Sequence, residues 1–199
     1  MAILCIIAAR NFMIKKLITT FLGLLLGLFL FAVGLVTVAI LVTYPKLPPL
    51  DAVKYYQPHE PLTIYSAEGV VIGSYGDEKR AFTTIDQFPE VLKNAVIAAE
   101  DKRFREHWGV DVIGVIRAAI SNASGGAKQG ASTITQQVAR NFYLTNERTM
   151  TRKFNEALLA YKIEKTLTKD QILELYFNQI YLGQRAYGFA SAAKVYFNK

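Results

Sequence analysis

Glu100-Asp-Lys-Arg-Phe-Arg-Glu-His-Trp-Gly-Val-Asp111 is the stretch on which the reading of this chain turns. An apolar helical pattern runs into it from Pro89 to Ala99, and Pro89 suits a first helical turn. Gly109 suits a stop. Two adjacent carboxylates, an aromatic ring and a histidine therefore fall where a helix gives way to a loop, a common place for a working acid or base. If the helix runs on, Glu100, Phe104 and His107 share one face at i, i+4 and i+7. Glu100 also follows Val96 by four residues. That places it at the edge of an apolar face, a setting in which desolvation can tune a carboxylate for general-base work. The plainer alternative is a polar helix end with His107 packed in the loop.

Downstream, three more segments carry chemistry. The first is Gly130-Ala-Ser-Thr-Ile-Thr-Gln-Gln-Val-Ala-Arg-Asn141. In it Thr133, Gln137, Arg140 and Asn141 fall at i, i+4, i+7 and i+8, a polar stripe that Ser132 begins. A stripe of this kind is equally the solvated face of a helix. The second is Arg152-Lys-Phe-Asn-Glu156. Its helix has Phe154, Leu158 and Tyr161 on one side and Leu159, Ile163 and Leu167 on another. Glu156 lies on the second side with Arg152 at i−4. As a surface pair these two would be worth only a few tenths of a kcal/mol. The third runs from Ile172-Leu-Glu-Leu-Tyr-Phe-Asn178 to Tyr181-Leu-Gly183, and its Asn178 and Tyr181 to Gly183 read as structural.

These four segments, in this order, resemble the motifs of the family 51 peptidoglycan glycosyltransferases: Glu-Asp-x-x-Phe-x-x-His-x-Gly, Gly-x-Ser-Thr-Ile-Thr-Gln-Gln, and the two that follow. The wording is most similar to class A penicillin-binding proteins of the 1A type from Gram-negative bacteria, over about residues 60 to 199. The resemblance implies a mainly α, lysozyme-like two-lobed domain. It also implies polymerisation of lipid II, a disaccharide-pentapeptide on undecaprenyl pyrophosphate. An acceptor 4-hydroxyl attacks the anomeric carbon of the growing chain, the lipid pyrophosphate leaves, and an α-linked donor becomes a β-1,4 link. Inversion requires a base on the attacking hydroxyl and positive charge at the leaving group. By match to the motifs, Glu100 is the base and Glu156 the second catalytic carboxylate, organising the pyrophosphate region through Arg152 or a divalent ion. Arg140, Arg152 and Lys153 are the pyrophosphate contacts, since guanidinium forks suit phosphate oxygens. Much of the family has Lys where this chain has Arg140. Asp101, Phe104, His107, Ser132, Thr133, Gln137 and Asn141 complete the implied substrate-binding set. A divalent cation, Mg or Mn, is left open as a cofactor. The implied partners are lipid II, the growing glycan strand and the membrane, with other cell-wall synthesis proteins as further candidates.

The rest of the chain sets bounds on this reading. Residues 17–44 contain no charge, and Ile18 to Val42 is long enough to cross a hydrocarbon core. Arg10, Lys15 and Lys16 precede the run, which predicts a cytoplasmic N-terminus, with Met13 as an alternative start, and a periplasmic domain on the bacterial inner membrane. The apolar core is too long for a cleaved signal peptide. Residues 1–16 are then cytoplasmic, 17–44 the anchor, 45–61 a juxtamembrane linker, and 62–199 a glycosyltransferase domain that the resemblance suggests is C-terminally incomplete. Four of the 23 Lys and Arg lie in the first 50 residues with no acid among them, leaving 19 bases against 16 acids. So mild a basicity speaks against a nucleic-acid module and suits a domain that meets anionic head groups. A single cysteine, Cys5, excludes an internal disulfide, and with only two histidines it argues against a zinc site.

Leu62–Ser66 and Val70–Tyr75 around Ala67-Glu68-Gly69 predict a β-hairpin. Helices are expected over Asp111–Ala123, with Asp111 as N-cap, and over Ser132–Phe142, Thr149–Thr166 and Lys169–Asn178. Thr168 and Gln171 form a capping box for the last. Ser121 to Gln129 is the candidate mobile loop. Ser191-Ala-Ala-Lys194 fits the transpeptidase Ser-x-x-Lys by chance, because its companion motifs are absent. Two rival functions share these features: a lysozyme-like enzyme that cuts the same glycan, and an inactive membrane-anchored scaffold.

Overall fold

The computed structural model describes residues 2–56, 62–76, 78–126, 130–144 and 149–198. Two compact units emerge, Met1–Lys46 and Leu47–Lys199. In the first, one continuous helix, α1 (Ala2–Thr43), ends in a 3-10 turn at Tyr44–Lys46. From Phe12 to Lys46 it is apolar and long enough to cross a membrane, and none of its most apolar window is buried. An uncovered apolar helix of that length is what a bilayer stabilises and water does not.

The second unit is mostly helical. It begins earlier than the expected domain boundary. Leu47 and Tyr56 pack against the core, and Leu50 and Val53, around the short helix α2 (Asp51–Lys54), are buried in it. Lys162 Nζ donates to the carbonyl of Pro48 at 2.9 Å. The segment expected as a linker is therefore part of the domain up to residue 56, because its apolar residues gain more by burial than by exposure. Linker residues 57–61 and loop residues 127–129 lie outside the described residues. The loop itself is shorter than expected, since Ser121 to Ala123 complete a helix.

The hairpin forms as predicted. Strands β1 (Leu62–Tyr65) and β2 (Val71–Tyr75) pair antiparallel, Leu62 opposite Tyr75, with an irregularity between Ile64 and Tyr65. Gly69 supplies the positive φ of the turn, +80°. A second, two-residue pair has no counterpart in the sequence reading: β3 (Lys79–Arg80) runs parallel to β4 (Ala186–Tyr187). Arg80 secures it, stacking over the Tyr187 ring at 4.3 Å and donating to Tyr56 and Gln179.

The core is built from α3 (Glu90–Glu100), α5 (Ile134–Tyr143), α6 (Met150–Glu164) and α7 (Lys169–Gln179), with the last three packed on one another. Phe104, Ile134, Val138, Leu159, Ile163, Ile172, Leu173 and Phe177 have essentially no exposed surface. Each such side chain contributes about 1.5–3 kcal/mol on burial. Thr168 and Gln171 form the capping box expected for α7, and Thr133 and Gln136 form another at α5. Asn178 is structural as read, holding both the N–H and the carbonyl of Thr83 at 2.9 and 2.8 Å. Helix α8 (Phe189–Phe197) closes the chain, with Ser191 buried and Lys194 exposed.

Helix α4 (Val112–Ala123) breaks the pattern. Its apolar stripe of Val112, Val115, Ile116 and Ile120 is exposed, as are Ile113 and Trp108 before it, and only Ala118 is buried. Asp111 stands at its N-cap position but makes no capping bond; its carboxylate takes Arg103 at 3.0 Å instead.

Candidate functional site

Helix α3 stops at Glu100, and residues 102–106 form turns. The projected continuation of the helix is therefore absent, and Glu100, Phe104 and His107 do not share a face. Glu100 is exposed, while Phe104 and His107 are buried. The loop beyond the break is brought against α6 at Gly109. Its φ is +84°, and a Cβ there would come within 2.8 Å of the Ala160 carbonyl carbon. Only glycine lets the loop lie so close against α6.

Asp101 turns inward. Its carboxylate accepts from His107 Nε2 at 2.9 and 3.0 Å and from the Ile134 N–H at 3.1 Å. The Ile134 N–H is one of the free donors at the start of α5, where the helix dipole favours a negative group. Thr133 Oγ1 adds a second tie, donating to the Gly109 carbonyl at 2.6 Å while capping the Gln136 N–H at 3.1 Å. Thr133 thus leaves the expected polar stripe; only 2% of it is exposed. Phe104, His107 and Thr133, which the resemblance implies as substrate contacts, are all buried side chains. His107 Nδ1 is buried without a partner.

The exposed face of the site starts at Glu100, whose Oε2 accepts from Gln137 Nε2 at 2.9 Å. Glu100 lines a cleft of about 170 Å³ together with Asp101, Arg103, Asp111, Arg117, Ser132 and Thr133. Ser132 connects the cleft to the second carboxylate. Its Oγ accepts from Lys153 Nζ at 2.9 Å, and the same ammonium donates to Glu156 Oε1 at 2.6 Å. Glu156 is fully buried, as are Leu159 and Ile163, with which the spacing places it on one side of α6. Its nearer cation is Lys153, however, since Arg152 Nη1 stands 3.7 Å from Oε2, beyond hydrogen-bond reach. Glu156 Oε2, Arg152 Nε and Asn155 Oδ1 are all buried without a hydrogen-bond partner.

Arg140 is half-buried and Asn141 exposed on α5. Sequence spacing gives no reason to single out Tyr176, which is almost fully buried on α7. Burial raises its hydroxyl pKa well above the ordinary 10.0, the Glu100 charge raises it further, and Arg140 pulls the other way. Tyr176 therefore sits within the field of both Glu100 and Arg140. Its position inside the Ile172–Asn178 motif was the one available signal. A larger cavity, about 450 Å³, opens between Arg80 and α8 and includes Ser191 and Lys194, but none of the residues above. Among the described residues no three His, Cys, Asp or Glu side chains gather to hold a metal.

The arrangement offers one exposed carboxylate at a cleft and, joined to it through Ser132, a cluster of fixed cations around a buried carboxylate.

Comparison with known proteins agrees. Residues 68–199 match the family model described as Transglycosylase. The chain is 72% identical over 188 residues to penicillin-binding protein 1A of Neisseria cinerea, covering 94% of this chain and 24% of the relative. It is 71% identical to the protein of that name from Neisseria gonorrhoeae over the same shares. Against that of Escherichia coli strain K12 it is 54% identical over 156 residues, 78% of this chain and 18% of the relative. The chain thus spans about a quarter of the length of the curated Neisseria relatives it matches.

Proposed function

The chain belongs to the transglycosylase family, and from that premise we propose that it polymerises lipid II into β-1,4-linked glycan strands in cell-wall synthesis. The single observation that carries this reading is the pairing of an exposed Glu100 at the cleft with the Ser132–Lys153–Glu156 cluster. Glu100 accepts the proton of the acceptor 4-hydroxyl as that oxygen attacks the anomeric carbon. Gln137 holds the carboxylate in place through one oxygen and leaves the other for the hydroxyl. The pyrophosphate departs with the electron pair of the breaking C–O bond, and its developing charge is met by Lys153, Arg152 and Arg140. The unpartnered Arg152 Nε supports this role, because a phosphate oxygen would complete it. Glu156 fixes Lys153 for that task, where the resemblance implies that it acts through Arg152 or a divalent ion. A single carboxylate already engaged by an ammonium does not suit a protein-held divalent ion, so any such ion would arrive with the pyrophosphate. No step is assigned to it.

Two features support a membrane-bound substrate. One is the apolar α1, with Lys15 and Lys16 before its uncharged run, which favours a cytoplasmic N-terminus and a domain outside the inner membrane. The other is the exposed apolar surface of α4. Lysis of the same glycan is disfavoured by the cation cluster, which a hydrolase without a phosphate leaving group does not need.

The test is Glu100→Gln in the protein as the cell makes it, with labelled lipid II as substrate. Turnover should fall by about 10²–10⁴-fold, the usual contribution of a general base, at unchanged melting temperature. Activity within a few-fold of wild type would sink the assignment.

A further inference from the structure

Lys169, the first residue of α7, plays no part in the reaction described above, and none of its partners lines the cleft. Yet its ammonium is a meeting point. It donates to the His107 carbonyl at 2.7 Å and to Glu164 Oε1 at 2.7 Å, and it stands over the Phe104 ring at 4.6 Å. Glu164 is itself buried, and the same oxygen accepts from Thr135 Oγ1 at 2.6 Å. One cation thus ties the loop after Glu100 to α7, to the end of α6 and, through Thr135, to α5.

We propose that Lys169 is a positioning residue for Glu100, acting through the loop it clamps. The path is short and made of fixed contacts. Lys169 holds the backbone of His107. The His107 ring holds Asp101, which is bonded to the start of α5 and adjoins Glu100 in the chain. Gln137, on that same helix α5, holds the Glu100 carboxylate. Both ends of the Glu100 setting therefore depend on the register between the loop and α5, and Lys169 is the charged group that fixes it from below. Nearby, Arg105 and Asp170 make another loop-to-α7 tie at 2.9 Å, but both are exposed, where an ion pair contributes little.

The inference rests on the proposed reaction, so the experiment separates the two. Lys169→Met alone would strand the Glu164 charge in the interior. The informative variant is therefore the double change Lys169→Met with Glu164→Gln, compared with Glu164→Gln alone, which keeps the clamp on His107. In the protein as the cell makes it, kcat for glycan formation from lipid II should drop about 10- to 100-fold in the double variant, as misplacement by an ångström can produce, with KM little changed. Lys169→Arg should restore much of the rate, and Asp170→Asn should behave as wild type. Equal kcat per folded molecule in the double variant and Glu164→Gln would overturn the positioning role and leave the reaction intact. Full activity of Glu100→Gln would overturn the reaction, and this role with it.

Discussion

At the residue scale, the chain separates side chains that face the cleft from those that hold them there. Adjacent acids take opposite roles: Glu100 is exposed, whereas Asp101 is buried against three hydrogen bonds from two donors. Removing Asp101 as Asp101→Ala strands the His107 Nε2 and the Ile134 N–H, and a buried unsatisfied donor costs about 1–3 kcal/mol. The melting temperature should fall by several degrees, and turnover with it, in calorimetry and lipid II assays on one preparation. An unchanged melting curve would remove Asp101 from the support. Tyr176 gives a second expectation. Burial and then the Glu100 charge raise its pKa above the ordinary 10.0, so the unfolded chain releases that proton before the folded chain does. Stability from this group is complete below pH 10 and is lost as pH climbs beyond it. Tyr176→Phe should therefore flatten the alkaline limb of a melting-temperature profile and leave the neutral region with the same slope. Tyr56 and Tyr143, also raised by burial, should keep a residual decline in the variant.

At the element scale, α5 is the part on which the site is assembled. Its N-cap holds Gly109, its first residue receives Asp101, its fourth carries Gln137 to Glu100, and Arg140 follows. The cap that starts it, Thr133, therefore has two duties. Thr133→Val should cost about 1–2 kcal/mol as a lost helix cap, plus the bond to the Gly109 carbonyl. Urea unfolding at neutral pH would show it as a lower midpoint at the same slope. A midpoint equal to wild type would mean that the cap is dispensable. The capping box at α7 was legible because Thr168 and Gln171 stand three apart. That at α5 has the same spacing, in Thr133 and Gln136, but the periodicity places Thr133 on the polar stripe with Gln137, Arg140 and Asn141. A period of 3.6 says which residues share a face and not which way the face points. The α4 stripe carries the same lesson, since its spacing is that of a core helix and its apolar side chains are exposed.

At the scale of the whole molecule, the uncharged run and the domain that begins at Leu47 are joined with no long connector between their boundaries. A topology reporter fused after Lys46 should read extracytoplasmic; a cytoplasmic signal would overturn the proposed placement, and lipid II with it as substrate. The amino-acid sequence by itself determined helices α3 to α7, the hairpin, the long apolar N-terminal helix, the α7 cap and the order of four motifs, hence the family. Those features arise from contacts within a turn or two of chain, or from composition alone, so spacing reveals them. Tertiary structure alone decided that Leu50 and Val53 belong to the core, that β3 meets β4, and that Phe104 and His107 are buried away from the cleft. It also decided that Lys153 rather than Arg152 holds Glu156, and that Lys169 clamps the loop beneath Glu100. In each of these the partners are either far apart in sequence or compete for one buried position. Which of them wins depends on the volume and polarity that the other helices leave free, and no local periodicity carries that quantity.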